Sequence, residues 1–289
     1  MDIVSEYYKD SKKQTFYQKY WGGESIHVGI YQDEMDNEIN NLDLGTIIRY
    51  ASKFKSHVMA NLVKSYLLDD RHNSLSNTVQ PNFKLADWGS GYGGTARRIS
   101  NKWESVLNLS IACYDLSHIN CEYNAKVNLM EDYSNIAIHN QSFLEIDNRW
   151  FDLIYSEDSF VHIDDKNLIF ERAYNNLNKG GHLIFSDIIL KDPDNCSAES
   201  LAEISRRISV NTVGSKESYI RHALDNNFKL CNVIEYNSDI KKHYKYVKKF
   251  YQETEPAETQ SNEIVAGLDD WIKHADNDNI TMAIFIFMK

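Results

Sequence analysis

The sequence predicts an α/β fold in which helices cover both faces of a mostly parallel β-sheet. From about Phe83 onward, short apolar runs alternate with longer segments of helical pattern, and this alternation is typical of parallel sheets. The apolar runs show no polar alternation, as expected of strands that are buried on both faces. The 289 residues, 42% of them hydrophobic, are enough to bury such a sheet within one domain.

Seven apolar runs are predicted as strands: Phe83–Trp88, Leu109–Asp115, Ile136–Ile138, Phe151–Tyr155, His182–Ile188, Leu230–Tyr236 and Thr281–Met288. Helices are predicted between them at Tyr92–Trp103, Ser117–Met130 and Asp165–Asn178. A Gly180–Gly181 turn is expected before the fifth strand. Since about 45 residues separate the last two strands, a tight hairpin between them is excluded, although they can still be neighbours.

The chain is expected to form a single domain with three parts. Residues 1–60 carry no strand pattern and are predicted as a helical N-terminal cap, residues 61–190 as the core, and residues 191–289 as lid helices with the last two strands. No internal repeat or linker interrupts this organisation.

The charge balance argues against nucleic acid as a partner. The net charge is −11, whereas a phosphate-binding surface needs clustered Lys and Arg. The one basic cluster, Lys241–Lys249, is interleaved with Tyr and His and is typical of a solvated helix face. A small-molecule partner is therefore expected, and a homodimer is compatible with the sequence.

Other patterns exclude further classes of protein. The four cysteines are scattered and the Asp276–Asn279 run lacks the spacing of a calcium loop, so no disulfide framework and no metal site is expected. No signal-peptide pattern opens the sequence, and the apolar run Met282–Met288 is too short to span a bilayer. A cytoplasmic protein that does not cross a membrane is expected.

A glycine cluster follows the first predicted strand. Gly89, Gly91 and Gly93 stand between that strand and a helix, where glycine allows a sharp turn and close approach of a ligand to the helix N-terminus. Gly89, Gly91 and Gly94 also satisfy G-x-G-x-x-G, and Asp115 lies where that fingerprint places its ribose-binding acid. On spacing alone, a dinucleotide stays open as the ligand.

Asp87 favours a different ligand. This carboxylate lies two residues before the first glycine, where it would repel a pyrophosphate but attract the ammonium of a methionine moiety. The resulting D-x-G-x-G-x-G pattern resembles the signature of class I methyltransferases. That resemblance implies a Rossmann-like seven-stranded sheet and S-adenosylmethionine as cofactor.

The resemblance extends to later positions of the same family. It implies that Asp115, with Leu116 beside it, holds the ribose hydroxyls, and that Ser142 and Phe143 line the adenine. Leu177–Gly181 is similar to the family's L-x-P-G-G turn, although Asn178 and Lys179 replace the usual residues.

The segment Phe16–Tyr31 is more specific. It resembles the F-Y-x-x-x-W-G-G-x-x-I-H-x-G-Y opening of the glycine/sarcosine/dimethylglycine N-methyltransferases, and the likeness continues along nearly the whole chain. It implies methyl transfer to the amine of sarcosine or dimethylglycine. Because a looser form of the motif occurs in natural-product methyltransferases, C- or O-methylation of a larger molecule remains an alternative, as does a cofactor-binding protein without catalysis.

The resemblance also assigns roles around the methyl acceptor. His162 and His27 are the candidate catalytic residues, Asp158 is expected at the methionine end of the cofactor, and Gly29 is expected to close over the sulfonium. Arg49 and Arg207 are candidates for binding an acceptor carboxylate, since arginine offers a planar fork, while surface ion pairs are the alternative. The expected aromatic wall contains four residues: Tyr7, Tyr17, Trp21 and Tyr31.

Overall fold

Seven strands form a single sheet, as the sequence predicts. The structure, a computed structural model, describes residues 16–31, 42–68 and 82–289. Within them the strands are β1 (Asn82–Trp88), β2 (Asn108–Asp115), β3 (Ile136–Asn140), β4 (Phe151–Glu157), β5 (Leu177–Leu190), β6 (Lys229–Glu235) and β7 (Ile280–Met288).

The strands lie in the order β3-β2-β1-β4-β5-β7-β6. β1 to β5 are parallel, whereas β7 runs antiparallel between β5 and β6. The strand order reverses between β1 and β4, so the carboxyl ends of these two strands flank the crevice in which open α/β sheets bind ligands. The last two strands are neighbours without forming a tight hairpin, as expected.

Eight α-helices are assigned in the described ranges: α1 (Leu44–Leu67), α2 (Gly94–Trp103), α3 (His118–Met130), α4 (Lys166–Asn176), α5 (Ala198–Ile208), α6 (Lys216–Asp225), α7 (Asp239–Thr254) and α8 (Asn262–Asp276). Several begin at side chains that cap free amides. Ser215, for example, forms a reciprocal capping box with Ser218 at the start of α6, and Asp43 accepts from the Thr46 amide at the start of α1.

Two local predictions were wrong. The expected Gly180–Gly181 turn is part of β5, which begins directly after α4 at Leu177. Gly180 has φ +73°, and the pairing of β4 with β5 shifts register nearby, so a bulge takes up the glycines and the strand continues. For the same reason, the helix predicted to reach Asn178 ends at Asn176.

The predicted N-terminal cap combines one long helix with an irregular segment. Residues 16–31 contain one short helical stretch, Tyr17–Trp21, and α1 continues to Leu67, past the predicted boundary at residue 60. The expectations for residues 1–15, including Tyr7, lie outside the described residues.

The part of the chain described here offers no membrane span and no metal cluster. None of its helices combines the length and apolar character needed to cross a membrane. In the same ranges, no three or more His, Cys, Asp or Glu side chains are arranged to hold a metal ion.

Candidate active site

The glycine loop after β1 has the backbone conformation of a ligand cradle. Gly89, Gly91 and Gly93 have φ values of +75°, +53° and +79°, which L side chains rarely adopt. A Cβ at Gly89 would lie 2.1 Å from Ser159 Oγ, and one at Gly93 would lie 2.1 Å from Asn124 Oδ1. Side chains at these two positions would therefore collide with the neighbouring elements as well as strain the loop.

Asp115 ties the end of β2 to this loop. Its Oδ2 accepts from the Gly91 amide at 2.8 Å and its Oδ1 from the Ser117 amide at 2.8 Å. Burial raises the pKa of Asp115, against the opposing effect of these amides. Leu116, which follows, is partly buried, and its carbonyl accepts from Asn140 Nδ2 at 3.1 Å.

An aromatic pair forms the next side of the crevice. Phe143 stacks on Trp88 with ring centroids 4.9 Å apart and planes 9° from parallel. Ser142 caps the short helical turn Phe143–Glu145 by accepting from the Leu144 amide at 3.2 Å. The bulky Trp88 beside the glycine loop is therefore a support for Phe143.

Two buried carboxylates end the adjacent strands β1 and β4. Asp87 is 3% exposed, and its pKa is raised well above the ordinary value by burial and by the nearby Glu157. Glu157 Oε2 accepts from Thr95, but its buried Oε1 has no hydrogen-bond partner in the described part of the chain. Nothing in the sequence pattern singles out Glu157. Buried anions of this kind favour a cationic ligand.

Asp158, the residue after β4, connects three parts of the molecule. Its Oδ1 accepts from Lys55 Nζ on α1 at 2.6 Å and from Ser186 Oγ on β5 at 2.8 Å, and its Oδ2 accepts from the Val28 amide at 2.9 Å. Burial opposes ionisation, but the ion pair with the fully buried Lys55 outweighs it and lowers the pKa of Asp158. Asp158 has φ +51°, a backbone conformation that residues other than glycine rarely adopt.

The N-terminal segment places His27 beside the same carboxylates. His27 Nε2 lies 3.1 Å from Ser56 Oγ and 3.6 Å from Glu157 Oε1. Burial lowers the pKa of His27 despite the neighbouring Glu157, so the ring is neutral around pH 7. Gly29 packs against α1, where a Cβ would lie 2.7 Å from Ala51 Cβ.

A cavity of about 570 Å³ opens beside Asp158 and His27. Two of the expected aromatic residues, Tyr17 and Trp21, line it, together with Phe16, Tyr244 and Trp271. Tyr31 does not line the cavity; its hydroxyl lies 3.0 Å from His243 Nδ1. The cavity wall thus combines aromatic side chains with a comparable amount of polar surface.

His162 also lines this cavity, at the end of the short turn Phe160–His162. Burial lowers its pKa to about 4, against the opposing effect of a hydrogen bond to the Ile208 backbone. The imidazole is therefore neutral at pH 7. The structure brings both candidate catalytic histidines to the same cavity.

Three arginines differ in whether they line the cavity and in whether their side chains have an ion-pair partner. Arg207 lines it, but its Nε lies 2.7 Å from Asp270 Oδ2 on α8. Arg206, which no sequence pattern singled out, also lines the cavity; it is exposed on α5 and makes no side-chain hydrogen bond or ion pair with the described residues. Arg49 is exposed on α1, where its Nη2 lies 3.5 Å from Thr46 Oγ1, and it does not reach the cavity.

Comparison with known proteins identifies the fold and the chemistry. A family model described as a methyltransferase domain matches residues 86–185. The sarcosine/dimethylglycine N-methyltransferase of Halorhodospira halochloris is 26% identical over 100% of this chain and 96% of its own length, and that of Aphanothece halophytica is 25% identical over 99% and 96%. A solved structure from Galdieria sulphuraria, provisionally described as a sarcosine dimethylglycine methyltransferase, matches with a TM-score of 0.80 and 26% identity over 96% of this chain and 98% of that one.

The chain is a class I S-adenosylmethionine-dependent methyltransferase. The residues of the crevice fit the cofactor of this methyltransferase. The glycine loop leaves room for close approach, and the carboxylates of Asp87 and Glu157 lie buried without a cation of their own, as a site for an ammonium group requires.

The cofactor supplies an activated methyl group on a sulfonium sulfur. We infer that Asp87 and Glu157 hold its ammonium, that Asp115 accepts from its ribose hydroxyls and that Phe143 packs against its adenine. Asp158 is engaged by Lys55, Ser186 and Val28, so we assign it to the architecture of the methionine end, where the sequence analysis expected a direct contact with the cofactor.

Proposed function

We propose that the methyltransferase methylates the amine nitrogen of a small amino acid of the sarcosine or dimethylglycine class. The observation that carries this proposal is Arg206, which is exposed on α5, lines a cavity that also contains five aromatic side chains, and has no ion-pair partner among the described residues. An acceptor with a carboxylate at one end and a methylated amine at the other matches this pairing. The acceptors named in the two N-methyltransferase relatives have this chemistry.

The reaction needs an aligned and unprotonated nitrogen. Methyl transfer is an in-line displacement in which the nitrogen lone pair forms the new N–C bond as the S–C bond breaks, so the protein contributes alignment and exclusion of water. His27 and His162 are neutral at pH 7 and therefore place no positive charge beside the nitrogen. We assign His162 to orient the neutral amine of the acceptor, and the aromatic wall of Trp21 and Tyr17 to attract the methylated ammonium product.

A transfer assay tests the acceptor. The protein is incubated with the labelled methyl donor and, separately, with glycine, sarcosine, dimethylglycine, phenols and polyketide carbon acids. We expect transfer to sarcosine or dimethylglycine. Transfer to a phenol or carbon acid, with none to any amine, would contradict the proposal and favour the C- or O-methyltransferase alternative, for which a cavity of about 570 Å³ has room.

Paired variants test the carboxylate site. Arg206→Ala should raise the acceptor KM by about tenfold or more, the effect of losing a charge-assisted hydrogen bond, and leave the cofactor Kd unchanged. Arg207→Ala should raise it less, because Asp270 already engages that guanidinium. Equal effects of both variants on acceptor and cofactor would assign the arginines to the architecture of the cavity.

We further propose that the enzyme acts in the cytoplasm and that its partner is this small molecule and not a nucleic acid. The net charge of −11 supports the exclusion of nucleic acid as a partner. Sedimentation of the purified protein distinguishes a monomer from the homodimer that the sequence allows.

A further inference from the structure

Residues 26–31, here named the strap, run from the glycine loop to the acceptor cavity. Ile26 approaches Gly91 of the loop and lines the cavity with His27 and Val28. The strap has no regular secondary structure, so its course depends on the groups that accept its backbone amides.

Those acceptors come from other elements. The Val28 amide donates to Asp158 Oδ2 at 2.9 Å, and the Ile30 amide donates to the Ala51 carbonyl at 3.1 Å. The remaining two acceptors belong to the first turns of α7. The Gly29 amide donates to His243 Nδ1 at 3.2 Å, and the Tyr31 amide donates to Asp239 Oδ1 at 2.6 Å.

We propose that His243 is a positioning residue for methyl transfer, which fixes the strap and Trp21 and thereby shapes the wall that His27 and Val28 present to the acceptor. The statement about the acceptor rests on the proposed function. The role of His243 in holding the strap stands on the geometry alone.

The hydrogen bonds of His243 fix its tautomer. Nδ1 accepts from the Gly29 amide, so this nitrogen carries no proton, and the Tyr31 hydroxyl lies 3.0 Å from the same nitrogen. The proton therefore lies on Nε2. Burial lowers the pKa of His243 to about 3, which keeps Nδ1 an acceptor over the whole range in which the enzyme would be assayed.

The ring of His243 also holds the second part of the wall. Trp21 contacts it edge to face, with ring centroids 4.7 Å apart and planes at 72°, and Trp21 lines the cavity. On the opposite side the strap cannot move closer to α1, since a Cβ at Gly29 would already lie 2.7 Å from Ala51 Cβ. His243 is thus the group on α7 that contacts both the strap and Trp21.

Two substitutions at His243 distinguish the effect of its hydrogen bond to the Gly29 amide from the effect of its packing. His243→Asn keeps an oxygen that can accept from the Gly29 amide, whereas His243→Leu removes the acceptor at similar volume. We expect His243→Leu to raise the acceptor KM by about tenfold with a cofactor Kd within about twofold of wild type, and His243→Asn to restore most of the loss. His222→Leu on α6 is the control, because its partly buried ring stacks on Phe170 away from the cavity.

Hydrogen–deuterium exchange of a peptide spanning the strap gives a readout that needs no acceptor. The amides of Val28, Gly29 and Tyr31 should exchange faster in His243→Leu and in Gly29→Ala, which pushes the strap away from α1. The effects of these two variants on acceptor KM should be less than additive, since both act through the strap. If His243→Leu does not fold, His243→Met makes the same comparison with a longer apolar side chain.

Unchanged exchange of the strap in a folded His243→Leu protein would overturn the proposal. Faster exchange with an unchanged acceptor KM would overturn it too, because His243 would then stabilise the strap without affecting the reaction. If the wild-type enzyme methylates only a phenol or carbon acid, the amine proposal fails separately, and the same kinetic comparison is made with that acceptor.

Discussion

At the scale of single residues, the ion pair of Lys55 with Asp158 organises the centre of the molecule. Lys55 is fully buried on α1, and its Nζ contacts Asp158 Oδ1 at 2.6 Å. A buried pair adds little to stability relative to an apolar pair, but removal of one partner leaves an uncompensated charge. The pair therefore makes the position of α1 depend on the end of β4.

Replacement of Lys55 tests this dependence. Lys55→Met should lower the free energy of unfolding by about 3 kcal/mol or more, because Asp158 would remain buried without its cation. Chemical denaturation measures the change. The double variant Lys55→Met/Asp158→Asn should recover part of the loss; a single variant as stable as wild type would show that water already compensates Asp158.

Glu157 is the second residue whose role can be tested singly. Its Oε1 is buried without a partner in the described residues, and we assign it to the cofactor ammonium together with Asp87. Glu157→Gln should therefore raise the cofactor Kd by about tenfold, the effect of losing one charge-assisted contact. Calorimetry measures the affinity. Glu145→Gln, exposed on the neighbouring turn, is the matched control, and equal Kd values for both variants would contradict the assignment.

At the scale of elements, the glycine loop and α2 form one unit. Arg97 on α2 donates to the Tyr92 carbonyl of the loop at 2.6 Å and to Asn124 Oδ1 on α3 at 2.9 Å. Asn124 is also the side chain that a Cβ at Gly93 would meet. The loop is therefore held by side chains of the helices on either side of it.

Alanine variants at two glycines with similar backbone conformation distinguish the effect of backbone strain from the effect of a steric clash. Gly93 has φ +79°, and a Cβ added there would lie 2.1 Å from Asn124 Oδ1, whereas Gly23 has φ +70° and its added Cβ would meet no atom closer than Arg49 Cδ at 4.0 Å. Gly23→Ala should cost about 1 kcal/mol of stability, the strain alone, and leave cofactor binding intact. Gly93→Ala should cost about 2 kcal/mol or more and weaken cofactor binding. Thermal unfolding and calorimetry measure both effects, and equal losses would exclude a role for Asn124.

At the scale of the whole molecule, buried histidines and a buried aspartate change the pH dependence of the free energy of unfolding in opposite directions. His162 and His243 have pKa values lowered by burial to about 4 and about 3. Below the ordinary histidine pKa of about 6.5 the unfolded chain protonates these two residues, whereas the folded chain does not. The free energy of unfolding therefore decreases as the pH falls from about 6.5 toward the folded pKa values. Asp187 does the reverse, since burial raises its pKa to about 7. The folded state then binds the extra proton between about 4 and 7, and stability falls as the pH rises.

Asp187→Asn should therefore make the stability of the enzyme rise more steeply with pH between about 4 and 7. Asn can still accept from the Val161 amide, which now donates to Asp187 Oδ1 at 3.1 Å, and can contact the Tyr219 hydroxyl. The slope of the free energy of unfolding against pH should increase by at most about 1.4 kcal/mol per pH unit. Denaturation at several pH values measures it; a slope no larger than that of wild type would mean that folding does not raise the pKa of Asp187.

The pH dependence of catalysis has a different origin. An amine acceptor has a pKa of about 10, whereas His162 is already neutral above about pH 4. We therefore expect kcat/KM to rise with pH through about 7 to 9 as the neutral amine becomes more abundant, with no inflection at the ordinary histidine pKa. An inflection near about 6.5 that His162→Gln abolishes would assign the titration to His162.

Local patterns in the sequence were sufficient for the sheet and for most of the cofactor crevice. Seven apolar runs match the seven strands to within a few residues, except at β5, where a bulge replaced the expected turn. Gly89, Gly91 and Gly93 follow β1 directly, and Asp115 ends β2, which pairs in parallel with β1, so all four residues lie at the same edge of the sheet. Short-range chemistry of this kind is visible in a single sequence.

The acceptor side depended on contacts between distant segments. Lys55 and Asp158 are 103 residues apart, and Gly29 and His243 are 214 apart. Nothing local distinguishes Lys55 or His243 from a residue on a solvated helix face. Arg207 is partly buried and pairs with Asp270 on another helix, whereas the adjacent Arg206 is exposed. The sequence by itself determined the sheet, the glycine loop and the methyl donor, because each is marked by short patterns along the chain. Only the tertiary structure decided which charges lie buried and which line the cavity, because burial is set by packing between elements.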